Sequence, residues 1–148
     1  MKIFVTGATG FIGSHFVKQA LAAGHEVLAL RRSENSQPRI ALEKEPQWLD
    51  KNLDEVTVED LKDCESMVHL AAHTGNVPYD SLENCLRWNL TAVVRLFENA
   101  RNSGISRYVV AGTCFEYGCS VMKHLAVTSN GKRKSAKGRL LSYLQRTR

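Results

Sequence analysis

Three glycines, Gly7, Gly10 and Gly13, stand at i, i+3 and i+6 directly after the apolar run Ile3-Phe4-Val5. Phe11, Ile12, Phe16, Val17, Ala20 and Leu21 follow at helical spacing, and Gly24 stands where that helix would end. The chemistry open to such residues is that of making room. Gly7 permits a sharp exit from a strand, Gly10 lacks a Cβ that would strike a ligand, and Gly13 lets helix and strand pack closely. Amide N–H groups at the start of the helix then face whatever anion lies in the turn. An apolar strand before the glycines and an amphipathic helix after them predict a site for the pyrophosphate of a dinucleotide.

The elements that must position this turn follow along the chain. His25–Leu30 reads as a second strand ending at Arg31-Arg32-Ser33, and Gln47-Trp48-Leu49 as a short third. Val58–Asp63 forms a brief helical turn, and Ser66–Ala72 a fourth, apolar strand. Residues 80–103 carry Leu82, Leu86, Leu90, Val93, Val94, Leu96, Phe97 and Ala100 on one long amphipathic helix stopped by Gly104. Arg107–Ala111 is a fifth strand. Alternating strands and helices predict an α/β fold, a Rossmann-like doubly wound parallel sheet with right-handed crossovers. About five strands in the order 3-2-1-4-5 make the sheet incomplete for its type, with ligand at the carboxyl edge beside the first strand.

The chain has 148 residues and a net charge of +5, unevenly placed. Residues 1–118 hold 12 Lys/Arg and 15 Asp/Glu, whereas residues 119–148 hold 8 Lys/Arg and no acid. The chain therefore divides into a dinucleotide-binding domain over 1–118 and an irregular basic tail over 119–148, poorly ordered or a short helix. Eight positive charges would give the tail salt-sensitive, non-specific affinity for nucleic acid. It has little aromatic interleaving beyond Tyr143 and no recognition motif, so that reading is disfavoured. No apolar run approaches the roughly 18 residues of a membrane span, and no secretory leader precedes the first strand. Cys64, Cys85, Cys114 and Cys119 lack zinc-site spacing, and His69 and His73 flank a strand end where i, i+4 ligation is not available. No metal is expected, and reduced thiols point to the cytoplasm. Trp48 and Trp88 read as packing residues.

Four motifs occur in order and in register: Thr6-Gly7-x-x-Gly10-x-x-Gly13, His69-Leu70-Ala71-Ala72, Asn89 opening an N-x-x-small segment, and Thr113-x-x-x-Tyr117-Gly118. Over residues 1 to about 118 the chain resembles the extended short-chain dehydrogenases, the NAD(P)-dependent epimerase/dehydratase family that acts largely on nucleotide-sugars. The resemblance implies that Thr9, Phe11 and Ile12 belong to the pyrophosphate turn, the latter two through their amides. It implies that Leu70, Ala71 and Ala72 line the path to the nicotinamide, and that Asn89 braces that strand or touches the coenzyme. Asn52-Leu53 matches the place where relatives hold adenine with an acid and an apolar residue.

At the end of the second strand an NAD-binding relative carries an acid for the adenosine ribose. Arg31 and Arg32 stand there instead, and guanidinium forks suit a 2′-phosphate. The expectation is NADP ahead of NAD.

Catalysis in the family uses a Tyr-x-x-x-Lys pair. Four residues after Tyr79, Tyr108, Tyr117 and Tyr143 stand Glu83, Gly112, Val121 and Thr147, so no such pair exists in these residues. By the resemblance, Thr113 alone matches a catalytic position, the hydroxyl that meets the substrate's reacting oxygen. Cys114 and Phe115 replace the Asp-Glu of dehydratase relatives, and Glu116 reads as a solvated or supporting residue. Asn76 and Tyr79 are weaker candidates for facing substrate. The reading is a truncated, inactive coenzyme half of a nucleotide-sugar epimerase or ketoreductase. Its parent would take a nucleotide-sugar or other small molecule, and a homo-oligomer is compatible with it. The alternative is a non-catalytic dinucleotide-binding module or sensor.

Overall fold

The computed structural model of the chain describes residues 1–73 and 80–112. Five strands form one parallel sheet: β1 (Lys2–Thr6), β2 (Glu26–Arg31), β3 (Gln47–Asp50), β4 (Ser66–His69) and β5 (Arg107–Val110). Their order is β3-β2-β1-β4-β5, as the sequence pattern predicts. Helix α1 (Phe11–Ala22) connects β1 to β2. Between β4 and β5 run α2 (Leu82–Leu86), a π-helical turn over Arg87–Thr91, and α3 (Ala92–Asn102).

Side chains on a strand alternate between faces, and a parallel sheet buries both. Strand β1 shows why it is central: Ile3, Phe4, Val5 and Thr6 are all buried. Phe4 points into one core layer with Leu28, Leu61, Met67, Leu96 and Ala100. Ile3 and Val5 point into the other, with Val17, Ala20, Val27, Ala29 and Val68. One face therefore packs on α3 and the other on α1. Burial at about 25 cal/mol per Å² of apolar surface is the main term holding the layers together.

The fourth strand is shorter than the apolar run suggests. Leu70 N still donates to Thr6 O (3.2 Å), but Ala71 N donates to the Thr6 side-chain Oγ1 (3.3 Å) and leaves the ladder. The long helix over 80–103 is likewise interrupted. Its middle is a π turn, where each amide reaches back five residues rather than four and one extra residue enters the coil. Ser81 Oγ caps α2 by accepting from Asn84 N (3.2 Å). Gly104, with φ of +97°, takes the chain from α3 towards β5.

Candidate functional site at the carboxyl edge of the sheet

The site begins where β1 ends. Gly7 has φ of +69°, a left-handed conformation, and a Cβ there would lie 2.7 Å from the Ala71 backbone nitrogen. A Cβ on Gly13 would land on the Gly7 carbonyl oxygen. Both positions are closed by protein backbone. Gly10 differs: among the described residues, a Cβ there would meet only Gly7 O, at 3.1 Å. Gly10 N donates to Gly7 O (2.9 Å), which folds the turn.

Gly10 is also the N-cap of α1, and among the described residues no side chain caps that end. No acid occupies the first turn, so the positive pole of the helix meets no carboxylate of its own there. Phe11 and Ile12 have exposed side chains, and Thr9 is partly exposed. Phe11 meets the His15 ring edge-to-face at 5.0 Å. Ser14, which no sequence motif singles out, pins the arrangement. Its Oγ donates to Gly10 O (2.6 Å) and accepts from Arg39 N (3.0 Å), tying the loop after β2 to α1.

Beside the glycine turn, the end of β4 is held by a buried polar pair. Thr6 Oγ1 lies 2.8 Å from His69 Nδ1. Because Thr6 Oγ1 already accepts from Ala71 N, donation of its O–H to Nδ1 satisfies the hydroxyl and puts the ring proton on Nε2. The His69 ring meets Phe97 edge-to-face at 5.8 Å. Burial pushes the His69 pKa below its ordinary value. Leu70, Ala71 and Ala72 follow beyond the strand, with rising exposure.

Asn89 sits in the π turn and reaches back to this segment. Its Nδ2 donates to His73 O and its Oδ1 accepts from His73 N, both at 2.8 Å. These two hydrogen bonds tie Asn89 to the chain just after β4. His73 Nε2 in turn meets Asp80 Oδ2 at 2.8 Å. Asp80 is held below the ordinary carboxylate range by hydrogen bonds from Asn84, Ser81 and His73.

At the far end of the edge, Arg31 and Arg32 part company. Arg31 Nε donates to Asp50 Oδ1 (2.6 Å) and Nη2 to Asp50 Oδ2 (3.3 Å), with the guanidinium 4.8 Å from the Trp48 ring centre. The hydrogen bond with Asp50 raises the Arg31 pKa above its usual value. Arg32 is exposed and makes no ion pair among the described residues. The acid at the tip of β3 is therefore Asp50, two residues before the Asn52-Leu53 pair that the motif comparison selects. Its signal was its position as the last residue of a strand whose neighbour ends in arginine. Asn52 N instead donates to Glu55 Oε2 (2.7 Å), and Leu53 leans on the core. Trp48 packs as the sequence predicts and also stacks on Arg31. Thr113, Asn76 and Tyr79 lie outside the described residues, as do Cys114 to Gly118. No cluster of metal-binding side chains occurs among the described residues.

The arrangement can cradle an anion at the glycine turn and meet more of the ligand along an edge that ends in two arginines and an aspartate. Comparison with known proteins bears on the family of the chain. The sequence model of the NAD dependent epimerase/dehydratase family matches residues 3–134. A dTDP-4-dehydro-6-deoxy-D-allose reductase of Streptomyces bikiniensis is 35% identical over 122 residues, which are 73% of this chain and 36% of that protein. The solved structure of MoeE5 in complex with UDP-glucose and NAD superposes with a TM-score of 0.67 at 33% identity, covering 80% of this chain and 38% of the other. The structure of TunA, an NAD dependent NDP-hexosamine 5,6-dehydratase, gives 0.65 at 31% identity, covering 90% and 42%. The chain thus spans about two fifths of the length of these relatives, between 36% and 42%. With a match running through most of its length and solved relatives that share its sheet, this protein belongs to the NAD dependent epimerase/dehydratase family.

Proposed function

We propose that the chain binds a nicotinamide dinucleotide at the carboxyl edge of its sheet, with the pyrophosphate over Gly10 and the amides of Phe11 and Ile12. The carrying observation is the asymmetry of the three glycines. A Cβ at Gly7 or Gly13 would strike backbone, whereas at Gly10 it would meet, among the described residues, only Gly7 O, above a helix end that no described side chain caps. That is a cradle for an anion. The adenosine then lies over the tips of β2 and β3, with Leu53 at its apolar side. Leu70, Ala71 and Ala72 run along the nicotinamide half, held in place by Asn89. When bound, the coenzyme supplies the hydride chemistry of the family. The chain's own part is to hold the coenzyme rigid and to exclude water from β1 and β4.

NADP is the preferred coenzyme in this reading, and NAD the weaker one. Support comes from Arg32, an exposed guanidinium at the end of β2 where an NAD site would present an acid. One charge-assisted hydrogen bond of about 1.5–3 kcal/mol shifts the balance tenfold or more. Residues 1–118 form the coenzyme domain and the basic residues 119–148 an appended segment. The substrate class of the whole protein is a nucleotide-sugar, as the UDP-glucose bound to MoeE5 suggests, with Thr113 meeting the reacting oxygen. A reducing compartment, the cytoplasm, suits Cys64 and Cys85, which form no disulfide among the described residues. No described helix is long and apolar enough to cross a membrane.

The second reading, a binding module without turnover, is favoured by one observation: no Tyr-x-x-x-Lys occurs in these 148 residues. Losing a general acid/base costs about 10²–10⁴ in rate. Calorimetric titration with NADP and NAD tests the coenzyme reading. Binding of NADP at least tenfold tighter than NAD is expected. Tighter NAD removes the preference, and no binding of either removes the site.

A further inference from the structure

We infer that the His73–Asp80 pair makes this chain discriminate between the redox states of its coenzyme, favouring the oxidised nicotinamide ring over the reduced one. The inference rests on the reading above, in which Leu70, Ala71 and Ala72 run along the nicotinamide half.

The chain reaches His73 directly after that run, and two hydrogen bonds with Asn89, both at 2.8 Å, fix its backbone. The ring Nε2 lies 2.8 Å from Asp80 Oδ2. The other carboxylate oxygen accepts from Ser81 N (2.7 Å) and Asn84 Nδ2 (3.0 Å), which anchors Asp80 just before α2. Hydrogen bonds from Asn84, Ser81 and His73 favour the charged form and hold Asp80 below the ordinary carboxylate range. Facing an ionised acceptor, Nε2 carries the ring proton, and Nδ1 is the nitrogen left to take up a second. The pair therefore bears one negative charge while the ring is neutral, and none once it is protonated. Other titratable groups on the neighbouring elements are engaged elsewhere. Arg87 of the π turn pairs with Asp54 (3.0 Å), Cys85 of α2 turns its thiol to Asp80 O (3.8 Å), and His69 of β4 meets Thr6. Glu83 of α2 is exposed, and among the described residues Asp80 alone forms an ion pair with His73.

An oxidised nicotinamide ring is a cation and a reduced one is neutral, while their outlines are closely similar. Shape contacts therefore treat them alike, and a nearby carboxylate does not. The side chains of His73 and Asp80 are 32% and 37% exposed, so a ligand ring has access to them and solvent screens the attraction.

Calorimetric titration at low ionic strength with NADP and NADPH, and with NAD and NADH, tests this, because the affinity ratio within each couple cancels the adenosine end. Asp80→Asn lowers the oxidised-to-reduced ratio about threefold or more at about pH 8, and added salt shrinks the difference. Taking the wild-type chain to about pH 6, within the range where histidines gain a proton, moves its ratio towards that of the variant. His73→Gln still donates to Asp80 but takes up no proton, so it keeps the high ratio at both pH values. Equal changes for both members of a couple would make the pair merely structural and overturn the inference. A ratio unmoved by Asp80→Asn, or a pH dependence that survives in His73→Gln, would overturn it as well. Should Asp80→Asn loosen the start of α2, the His73→Gln comparison, which leaves the carboxylate in place, decides. Coenzyme binding with an unmoved ratio sinks this inference only. Failure of every form to bind any of the four coenzymes sinks the dinucleotide reading, and this one with it.

Discussion

The three glycines of the turn look equivalent in the sequence, yet each answers a different constraint. Gly13→Ala would set a methyl on the Gly7 carbonyl oxygen, and the β1–α1 contact must open to admit it. A cost of about 1–3 kcal/mol or more is expected, read as a lower melting temperature without any ligand. Gly10→Ala meets only one atom at 3.1 Å and has no positive φ to support. Stability should change by less than about 1 kcal/mol while dinucleotide affinity falls at least tenfold. Equal melting temperatures for the two variants would contradict this division. His69 makes a second prediction. Its folded pKa lies below the ordinary 6.5 because burial penalises the charged ring. The unfolded chain therefore binds the proton first, and stability is full above about 6.5 and is lost as the pH falls towards the folded value. Melting temperatures between pH 7.5 and 5.5 should drop more for wild type than for His69→Gln. Parallel curves would remove His69 as the cause.

At the scale of elements, the π turn explains how Asn89 comes to serve the site. An uninterrupted α-helix over 80–103 would carry Asn89 at a different angle. The extra residue in the turn re-aims the side chain, a use in which such bulges recur. Asn89 then holds both backbone groups of His73, just beyond Leu70-Ala71-Ala72. Asn89→Ala should cost about 1–2 kcal/mol in chemical denaturation, two exchanged hydrogen bonds at about 0.5–1.5 kcal/mol each. Hydrogen exchange of the His73 amide should accelerate tenfold or more. An unchanged exchange rate would show that the clamp has no role in ordering that segment. Helical periodicity reveals the apolar face of this region, but it does not distinguish four residues per hydrogen-bonded turn from five.

At the scale of the described molecule, the contrast lies between the middle of the sheet and β5 at its end. Strands β1, β2 and β4 are buried on both faces, as a parallel sheet requires. Strand β5 is exposed along its length, with Val109 and Val110 showing 61% and 53% of their surface. Leu82, Leu86, Leu90 and Val94 are exposed as well. Apolar edge strands invite pairing with other chains. Val109→Lys should leave the melting temperature within the range of about ±0.5 kcal/mol typical of surface changes, and should lower light scattering at high protein concentration. Scattering equal to wild type would mean that β5 takes no part in association.

By itself the amino-acid order determined what local spacing can encode. The glycine turn and the alternation of strand and helix follow from local spacing and from residues lacking a Cβ, and the doubly wound fold type that this alternation implies carries the order 3-2-1-4-5. Partnerships across the chain were decided only in three dimensions. Thr6 meets His69 across 63 positions, and Arg31 meets Asp50 across 19, because parallel strands bring them side by side. Register is a property of two strands together, and neither strand carries it alone. For that reason Arg31, one of two like arginines in the sequence, is half of an ion pair, and among the described residues Arg32 is not.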